Sequence, residues 1–561
     1  MKRLLALVAL LLVVSGLTAQ EPFNAAGRGA HGANGVVATA KPEASQVGID
    51  ILKKGGNAVD AAIGAAFALG VLEPDTNGIG GGGFMILRLA TMKEAVVIDF
   101  REVAPAASKP DMFKLDERGR ILNHAGTDGG LSVGVPGDVA GLLHALDTFG
   151  SKKLTRAQIL QPAIHMATQG ISVTANLDKN IKDSLEKINA FPACAELFLQ
   201  EGLPYEIGEK IKNPDLARTL TIIAKKGVEG FYKGEIAAKI AAEVKKQGGI
   251  LTVQDLATYA IKVRKPVQGT YRGYTILSVP PASSGGTHLI ELLNVMETFD
   301  LKALGQQSPA TAHRWSEAMK LVFADRAKYM ADTDFATVPL AGLVSKAYAR
   351  ELAARISPKE SMTAPLPGNP AQYESGSTTH LSVMDKDGNM VSITKSIGLL
   401  FGSGVLVPGT GILLNDHMSD FMPKPGSVNS IEPGKRPLSS ISPSLILDPK
   451  GKSFMTIGSP GATRIFTTVA QVISNILDFG MPLQAAISAP RLAQPHTGNL
   501  SLEARLPAAT QKALGTLGHK LTLRGDWDPY FGGVQAVLYD SKTRQLVGGA
   551  DPRRDGQAIA Y

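Results

Sequence analysis

The apolar positions in the first part of the chain predict two helices followed by two strands. Residues 42–72 contain a helical pattern interrupted at Gly55 and Gly56, and the second helix is apolar on nearly every side. A helix of that kind is typical of a buried element. The stretches "NGIGGGGFMILRLA" and "EAVVIDFRE" then predict a glycine-rich loop that leads into a strand, and a second strand that ends at Arg101.

Further along the chain, long helical stretches give way to strands. Residues 138–255 and 307–331 predict mainly helices, whereas strands and hairpins dominate after residue 377, with one helix near 463–478. The order mixes hairpins with helices and contains no run of strand–helix–strand units. Such an order favours antiparallel sheets covered by helices over a doubly wound parallel sheet. The predicted fold class is therefore α+β.

The segment "GSTTHLSVMDKDGNMVSITKS" predicts a β-hairpin whose first strand begins at two threonines. Its alternation of apolar and polar positions is that of a half-buried strand. The turn "KDG" places Gly388 in the left-handed conformation. If Asp385 pairs with Asn389, the register brings Thr378 opposite Ser396. A cross-strand hydrogen bond explains two facing hydroxyls structurally, and catalysis explains them functionally.

The first residues, "MKRLLALVALLLVVSGLTAQ", have the features of a secretory signal peptide, namely a basic pair, a short apolar run and small residues. We predict a signal peptide over residues 1–19, with cleavage after Ala19. No other segment approaches the roughly 20 apolar residues of a membrane-spanning helix. The expected location is periplasmic or extracellular, with no membrane attachment after signal removal.

Composition limits the partners of the chain. The 561 residues carry a formal charge of +8, but the basic residues are scattered, so nucleic-acid binding is not supported. A mild positive field favours anionic substrates. Cys194 is the single cysteine, which excludes an internal disulfide.

Two short motifs suggest other chemistry but lack the required context. Gly78, Gly80 and Gly83 match the dinucleotide pattern G-x-G-x-x-G, yet a helix precedes them and a strand follows. "GLSVG" around Ser132 matches the serine nucleophile elbow, but Pro136 interrupts before any helix begins. No metal-ligand or phosphate-loop spacing occurs, so the sequence implies neither a metal nor an organic cofactor.

A series of ordered motifs resembles the γ-glutamyltranspeptidase family over nearly the whole chain. The motifs are "GGNAVDAA", "NGIGGGGFM", "DFREVAP", "SVGVPG", "PPASSGGTHL", "TTHLSVMDKDGN", "GILLNDHMSDF", "KRPLSSISPS", "GSPGATRI" and "ADPRRDGQAIAY". The resemblance implies the fold of the N-terminal nucleophile hydrolases, a four-layer αββα sandwich of two antiparallel sheets. It also implies a precursor that cuts itself between Ser377 and Thr378. The expected products are a large subunit over 20–377 and a small catalytic subunit over 378–561, interleaved in one domain.

In this resemblance Thr378 is the nucleophile. A threonine hydroxyl is a weak nucleophile that needs a nearby base. The α-amine freed by the cut has a pKa of roughly 7.7–8.0 and can accept the proton. Thr378 would then attack a γ-glutamyl amide, such as that of glutathione, and pass the acyl group to water or to an amine. The expected partners are these small molecules and the two fragments of the precursor.

Further roles follow from the resemblance, position by position. Ser396 takes the place of a threonine that hydrogen-bonds the nucleophile. The backbone N–H groups of Gly461 and Ala462, in "GSPGA", correspond to the oxyanion hole. The family usually has a second glycine where Ala462 stands, but the backbone donor is retained.

The substrate-binding side chains are also assigned by resemblance. Arg101, with Ser439 and Ser440, resembles the pocket for the substrate α-carboxylate, which suits the fork of an arginine. Asp420, in "MSDF", resembles the anchor for the α-ammonium. His417 stands where a glutamine or glutamate usually assists.

Two departures bear on specificity. Gly398 stands where the family commonly has an asparagine that contacts the α-amino group, and the segment "SVNSIEPG" is shorter than in members with a lid. From these we expect weak discrimination between γ-glutamyl and glutaryl donors, and an asparagine at 398 is expected to restore part of the preference.

Several functions stay open beside an exported, self-processing γ-glutamyl hydrolase/transferase. The same fold could act as a cephalosporin (glutaryl) acylase or as a poly-γ-glutamate depolymerase. A different class of enzyme would be a serine esterase at Ser132. A third class would be a non-catalytic protein that binds glutamate.

Overall fold

Two large antiparallel sheets lie between layers of helices in the computed structural model of the chain, which describes residues 25–363 and 377–561. This arrangement confirms the α+β class and the αββα sandwich. The predicted signal peptide, and most of the small-residue run before Thr378, lie outside the described residues.

The first sheet carries the predicted hairpin at its centre. Within the described residues it has seven strands, all paired antiparallel, in the spatial order Gln557–Ala560, Gly35–Thr39, Ser377–Asp385, Met390–Gly398, Gly82–Arg88, Val96–Phe100 and Lys262–Arg264. Strands from before and after residue 377 therefore alternate within one sheet.

The second sheet packs against the first. Its seven described strands are also antiparallel and follow the order Ala30–Gly32, Gln545–Ala550, Gln535–Asp540, Ser453–Gly458, Ser444–Leu447, Tyr274–Ser278 and Val267–Tyr271. Smaller sheets lie at the periphery. One has three strands, Leu492–Ala493, Leu500–Glu503 and Leu521–Arg524. The others have two strands each, namely Leu406–Val407 with Ile412–Leu413, Ile171–Ser172 with Lys210–Ile211, and Leu199–Gln200 with Leu203–Pro204.

Helices cover the outer face of each sheet. On the side of the first sheet they span Pro42–Lys53, Ala58–Leu72, Asp138–Phe149, Arg156–Gln169, Ala175–Asp183, Leu185–Ala190, Pro192–Phe198, Pro214–Lys226, Glu229–Tyr232, Gly234–Lys246 and Val253–Thr258. On the side of the second they span Gly285–Glu297, Leu301–Leu304, Pro309–Tyr329, Leu340–Leu343, Lys346–Ala354, Ile465–Leu477, Leu483–Ser488 and Ala508–Thr516. No helix among the described residues is long and apolar enough to cross a membrane.

The predicted buried helix, Ala58–Leu72, shows why the sequence folds this way locally. Asn57 accepts hydrogen bonds from the N–H groups of Val59 and Asp60, and the side chain of Asp60 accepts one from the N–H of Asn57, which completes a capping box. Every residue of the helix is buried, because it packs between the first sheet and its neighbouring helices.

The hairpin follows the predicted register over most of its length. His380 pairs with Thr394 and Ser382 with Ser392, and Gly388 has a φ of 84° in the turn. The prediction of a half-buried strand was wrong, since both faces are buried. The polar face lies against the second sheet, where Ser382 donates a hydrogen bond to the carbonyl of Gln535.

Candidate active site

The predicted site residues come together around one cavity of about 640 Å³. They arrive from strand ends and loops that are far apart in the chain. Those that line the cavity are Arg101, Thr378, Ser396, Gly398, His417, Asp420, Ser439, Ser440 and Ala462. Gly461 directly precedes Ala462 and is not among the lining residues.

Thr378 lies at the start of the central strand and is only 6% exposed. The register shifts here, because Ser377 pairs with Gly398 while Thr379 pairs with Lys395, so the predicted ladder pair with Ser396 does not form. The two hydroxyls still meet, with Thr378 Oγ1 3.5 Å from Ser396 Oγ, a long hydrogen bond. The irregularity therefore turns the threonine out of the ladder while keeping it beside the serine.

Ser396 also accepts a hydrogen bond from the backbone at the end of its own strand. Its Oγ accepts a hydrogen bond of 2.9 Å from the N–H of Gly398. The glycine run that precedes the neighbouring strand permits this close packing, since a Cβ at Gly81 would overlap the carbonyl oxygen of Ser396. These glycines thus serve the close approach of two backbones, and a strand follows them as the sequence predicts.

Arg101 and Asp420, predicted to bind opposite ends of a substrate, contact each other. Arg101 is fully buried and donates a hydrogen bond from Nη2 to Asp420 Oδ2, while 41% of the Asp420 side chain is exposed. Arg101 also donates to Glu102 Oε2 at 3.2 Å and to the carbonyl of Pro437 at 3.3 Å. The guanidinium is therefore fixed from three directions, with its carboxylate partner at the open side of the cavity.

Glu102 is a charged residue of the site that the sequence analysis did not single out. It is fully buried, and its Oε1 lies 2.8 Å from His417 Nδ1. Burial acts to raise the pKa of Glu102, but the neighbouring His417 and Arg101 outweigh it and leave the pKa below its usual value. Its place directly after Arg101 in "DFREVAP" was the available signal.

Arg326 is a second residue that the sequence did not reveal. It lies in the last turn of the Pro309–Tyr329 helix and lines the cavity. Its Nε donates to Ser284 Oγ and its Nη2 donates to Ser440 Oγ, both at 2.9 Å, while Ser284 Oγ donates to the carbonyl of Ser439 at 2.7 Å. Arg326 thereby orients the two predicted serines, and its position in an ordinary helical pattern carried no sign of that role.

Gly461 and Ala462 both have left-handed backbones, with φ of 134° and 52°. Ala462 begins the Ala462–Arg464 turn, which runs directly into the Ile465–Leu477 helix. The start of a helix carries partial positive charge and suits an oxyanion. Alanine in this conformation is strained by about 1 kcal/mol or more relative to glycine.

Gly398 faces a side chain that fills its missing Cβ position. Its φ is 103°, and a Cβ added there would overlap Asp416 Oδ1. Asp416 is fully buried, accepts a hydrogen bond of 3.1 Å from the N–H of Leu399, and donates its own N–H to the carbonyl of Ile397. An asparagine at 398 could therefore restore a substrate contact only if the side chain of Asp416 moved, which argues against that expectation.

The serine-esterase alternative lacks support in the geometry. Ser132 lies in a short turn, Gly130–Ser132, with no strand leading into it, and its Oγ donates a hydrogen bond to the carbonyl of Gly129 at 2.8 Å. Cys194 is equally unsuited to nucleophilic chemistry, since burial raises the pKa of its thiol to about 12.

One group outside the cavity has the residue types of a metal site. Candidate ligand atoms of His313, Glu317 and His519 lie within 4.8 Å of one another. The two rings are hydrogen-bonded at 2.8 Å, and Lys320 Nζ lies 2.7 Å from Glu317 Oε1. A lysine ammonium already supplies the positive charge there, so these residues satisfy one another.

Comparison with known proteins identifies the family. The profile of the family described as Gamma-glutamyltranspeptidase matches residues 44–561. The chain is 40% identical over 562 residues to "Glutathione hydrolase proenzyme" of Pseudomonas sp. (strain A14), covering 94% of each chain. It is 39% identical over 538 residues to "Acylase ACY 1 proenzyme" of Pseudomonas sp. (strain SE83), covering 95% of this chain and 94% of the relative.

A solved structure extends the similarity to the fold. The cephalosporin acylase from Bacillus halodurans superposes with a TM-score of 0.86 at 33% identity, covering 95% of this chain and 97% of the acylase. The profile match and the curated relatives both span far more than half of the sequence. On these findings the chain belongs to the γ-glutamyltranspeptidase family.

Proposed function

We propose that this chain is a self-processing γ-glutamyl hydrolase/transferase in which Thr378 forms the acyl-enzyme. The observation that carries the proposal is the position of Thr378, a threonine at a strand start beside Ser396, facing a cavity that also contains Arg101 and Asp420. A hydroxyl nucleophile and a pair of opposite charges then share one cavity, as a zwitterionic acyl donor requires.

The first reaction is the cut before Thr378. Thr378 Oγ1 attacks the carbonyl carbon of Ser377, the peptide nitrogen leaves as the α-amine of Thr378, and water hydrolyses the resulting ester. The amine remains on the same residue as the hydroxyl and serves as its base in later turnovers. The products are a large subunit ending at Ser377 and a small subunit beginning at Thr378.

The mutual pairing of Arg101 and Asp420 supports binding of an α-amino acid head group. A donor carries a carboxylate and an ammonium, so it can replace each partner of the pair with its own opposite charge. Arg101 is pre-oriented by Glu102 and Pro437, which lowers the cost of binding the carboxylate. Ser439 and Ser440, oriented through Arg326 and Ser284, complete that end of the site.

The acyl transfer uses Thr378 and the backbone at Gly461 and Ala462. Thr378 Oγ1 attacks the γ-carbonyl of the donor, the α-amine of Thr378 takes the hydroxyl proton, and the leaving amine receives it. The backbone N–H groups of Gly461 and Ala462 stabilise the oxyanion. Water or an amine acceptor then releases the glutamyl group. The predicted signal peptide supports export of the precursor to the periplasm or the cell exterior.

A glutaryl acylase is the second candidate. Two observations favour it: the 33% identity to the Bacillus halodurans cephalosporin acylase over 95% of this chain, and Gly398 in place of an asparagine. Glutaryl donors have the same chain length and carboxylate as glutamyl donors but no amino group. The two candidates therefore differ in donor and share the nucleophile.

Purified protein and a donor panel test the proposal. Denaturing electrophoresis should show two fragments, and the smaller should have the N-terminal sequence Thr-Thr-His-Leu-Ser. The protein should hydrolyse a γ-glutamyl anilide, which is compared with a glutaryl anilide and a poly-γ-glutamyl substrate. A single uncut chain without activity toward any of the three would contradict the proposal, and activity toward the glutaryl donor alone would favour the acylase.

A further inference from the structure

We propose that Asp416 is a specificity-determining residue of the cavity, whose carboxylate selects donors that carry an α-ammonium. The proposal rests on the proposed function and names the donor class that the same site prefers. It predicts the opposite of the weak discrimination between γ-glutamyl and glutaryl donors that is expected from Gly398 alone, and the experiment below decides between the two.

The first argument is the space that Asp416 occupies. Gly398 lies at the end of the strand that carries Ser396, and the position of its absent Cβ overlaps Asp416 Oδ1. A side chain at 398 and the carboxylate of Asp416 therefore exclude each other. A charged side chain from the neighbouring loop therefore occupies the position that a polar side chain on the strand would otherwise fill.

The second argument is the hydrogen bonding of the carboxylate. Oδ1 accepts from the N–H of Leu399, which fixes the carboxylate beneath the strand end. Oδ2 is buried and has no hydrogen-bond partner within residues 25–363 and 377–561. Burying a carboxylate oxygen without a hydrogen-bond partner is costly, so a cation nearby would stabilise the charge of Asp416. Because Oδ2 is inaccessible to solvent, a cation in the cavity would act on it through the electric field and not by direct contact. Asp416 itself lines that cavity.

The third argument concerns the charges that face Asp416. The charges that act on Asp416 come from Lys187, His417 and Asp420. Lys187 is also engaged elsewhere, with Asp128 at 2.9 Å and with the carbonyl of Gly402 at 2.8 Å. Asp420 adds negative charge on the cavity side. An ammonium near Asp416 and Asp420 would therefore meet two carboxylates.

Burial raises the pKa of Asp416 to about 7, with Lys187 and His417 opposing this rise and Asp420 adding to it. A bound ammonium stabilises the ionised form. Direct contact is not required, because the interaction between charges in a partly buried site weakens only slowly with distance. A glutaryl donor lacks the ammonium and gains nothing from this charge.

Asp416→Asn tests the proposal by removing the charge while keeping an oxygen for the N–H of Leu399. The readout is the ratio of kcat/KM for a γ-glutamyl anilide to that for a glutaryl anilide, at pH 8. We expect the wild type to favour the γ-glutamyl donor by at least about tenfold, and the ratio to fall by about 10- to 100-fold in the variant, as for loss of a charge–charge interaction across several ångströms in a partly buried site. If Asp416 had only a structural role, kcat/KM would fall equally for both donors and the ratio would not change.

Asp478→Asn is the matched control. The side chain of Asp478 is also buried, pairs with Arg272 at 2.6 Å and does not line the cavity, so the same chemical change should leave the ratio at the wild-type value. Electrophoresis confirms that each variant is processed. If Asp416→Asn is not processed, the ratio is measured in Asp416→Ser, which also removes the charge and keeps an oxygen that can accept from the N–H of Leu399.

The outcomes separate the inference from the proposed function. A ratio that Asp416→Asn leaves unchanged, or that Asp416→Ser leaves unchanged in its place, would overturn the role of Asp416 alone. A wild type that is processed but hydrolyses neither donor would overturn both. A fall in the ratio for Asp416→Asn, with the control unchanged, establishes Asp416 as a determinant of donor choice.

Discussion

The floor and the rim of the cavity are built on different principles. The floor, which we define as Arg101, Thr378, Ser396, Gly398 and Asp416, lies at the ends of buried strands and in the loop beneath them. The rim, which we define as Arg118, Gly119 and residues 422–428, comes from irregular loops, and Met422 and Val428 are 40% and 41% exposed.

The difference shows how one fold can keep its chemistry and change its substrates. Each floor residue is fixed by backbone pairing or by buried hydrogen bonds, so the nucleophile and the acyl-binding groups keep one geometry. Exposed loop residues are held by fewer contacts and tolerate substitution. Changes on the floor should therefore abolish or redirect the reaction, whereas changes on the rim should have small effects.

The largest effect is expected for Thr378→Ala. Without the hydroxyl neither the cut nor the acyl transfer can occur, so we expect a single uncut chain and a fall in activity of at least about a thousandfold. Electrophoresis and anilide hydrolysis measure both. Thr379→Ala is the matched control, because Thr379 donates its hydroxyl to Glu73 at 2.6 Å and takes no part in the reaction, so this variant should still be cut.

Cleavage of Thr378→Ala at the same bond would assign the cut to an external protease. The hydroxyl of Thr378 would then be needed at most for acyl transfer, and the floor would have no role in cutting the precursor.

A second large effect is expected for Gly398→Asn. The new Cβ would overlap the buried Asp416, so we expect destabilisation by about 3 kcal/mol or more and failure of processing, measured as a lower Tm and an uncut chain. Gly426→Asn is the rim control. Gly426 also has a left-handed backbone, with φ of 86°, but nothing lies within 4 Å of a Cβ there.

Because asparagine tolerates the left-handed conformation, Gly426→Asn should keep a Tm close to that of the wild type. Equal losses in the two variants would mean that backbone strain, rather than the space taken by Asp416, decides the outcome at residue 398.

Much of this floor could be predicted from the sequence, because it depends on local patterns. The alternation and the turn at Gly388 predicted the register that pairs Ser382 with Ser392. The ordered motifs brought Arg101 and Thr378 to one site. These features depend on strand periodicity, turn chemistry and motif order, all of which can be read from the sequence.

The contacts across the cavity could not be predicted in the same way. Asp416 fills the space at Gly398, and Arg326 donates a hydrogen bond to Ser440. Each contact joins segments that meet only in the folded structure, and a single sequence contains no signal that links them. The polar face of the central strand misled the prediction because a second sheet, and not solvent, covers it. Packing between layers decides such cases.

An intermediate effect is expected for Arg101→Lys. Lysine keeps the charge but loses the planar fork that contacts Asp420, Glu102 and Pro437 at once. We expect processing to survive and KM for a γ-glutamyl donor to rise by about 10- to 100-fold, as for one or two charged hydrogen bonds. Arg118→Lys is the rim control and should leave KM within about threefold. Unchanged kinetics in Arg101→Lys would remove the arginine from donor binding.

The smallest effect is expected for Lys424→Ala, which tests the rim itself. Lys424 is exposed and lines the cavity together with Arg118, so it adds positive charge to the rim. An exposed charge contributes little to the binding of a small donor, and we expect kcat/KM for a γ-glutamyl anilide to change by less than about threefold. A poly-γ-glutamyl donor carries further carboxylates, so its kcat/KM should fall more, and the difference should shrink as salt screens the charges. Lys450→Ala, in an exposed turn away from the cavity lining, should affect neither donor. A loss for Lys424→Ala of tenfold or more on the small anilide would show that the rim shares in fixing the acyl group, and the division between floor and rim would fail.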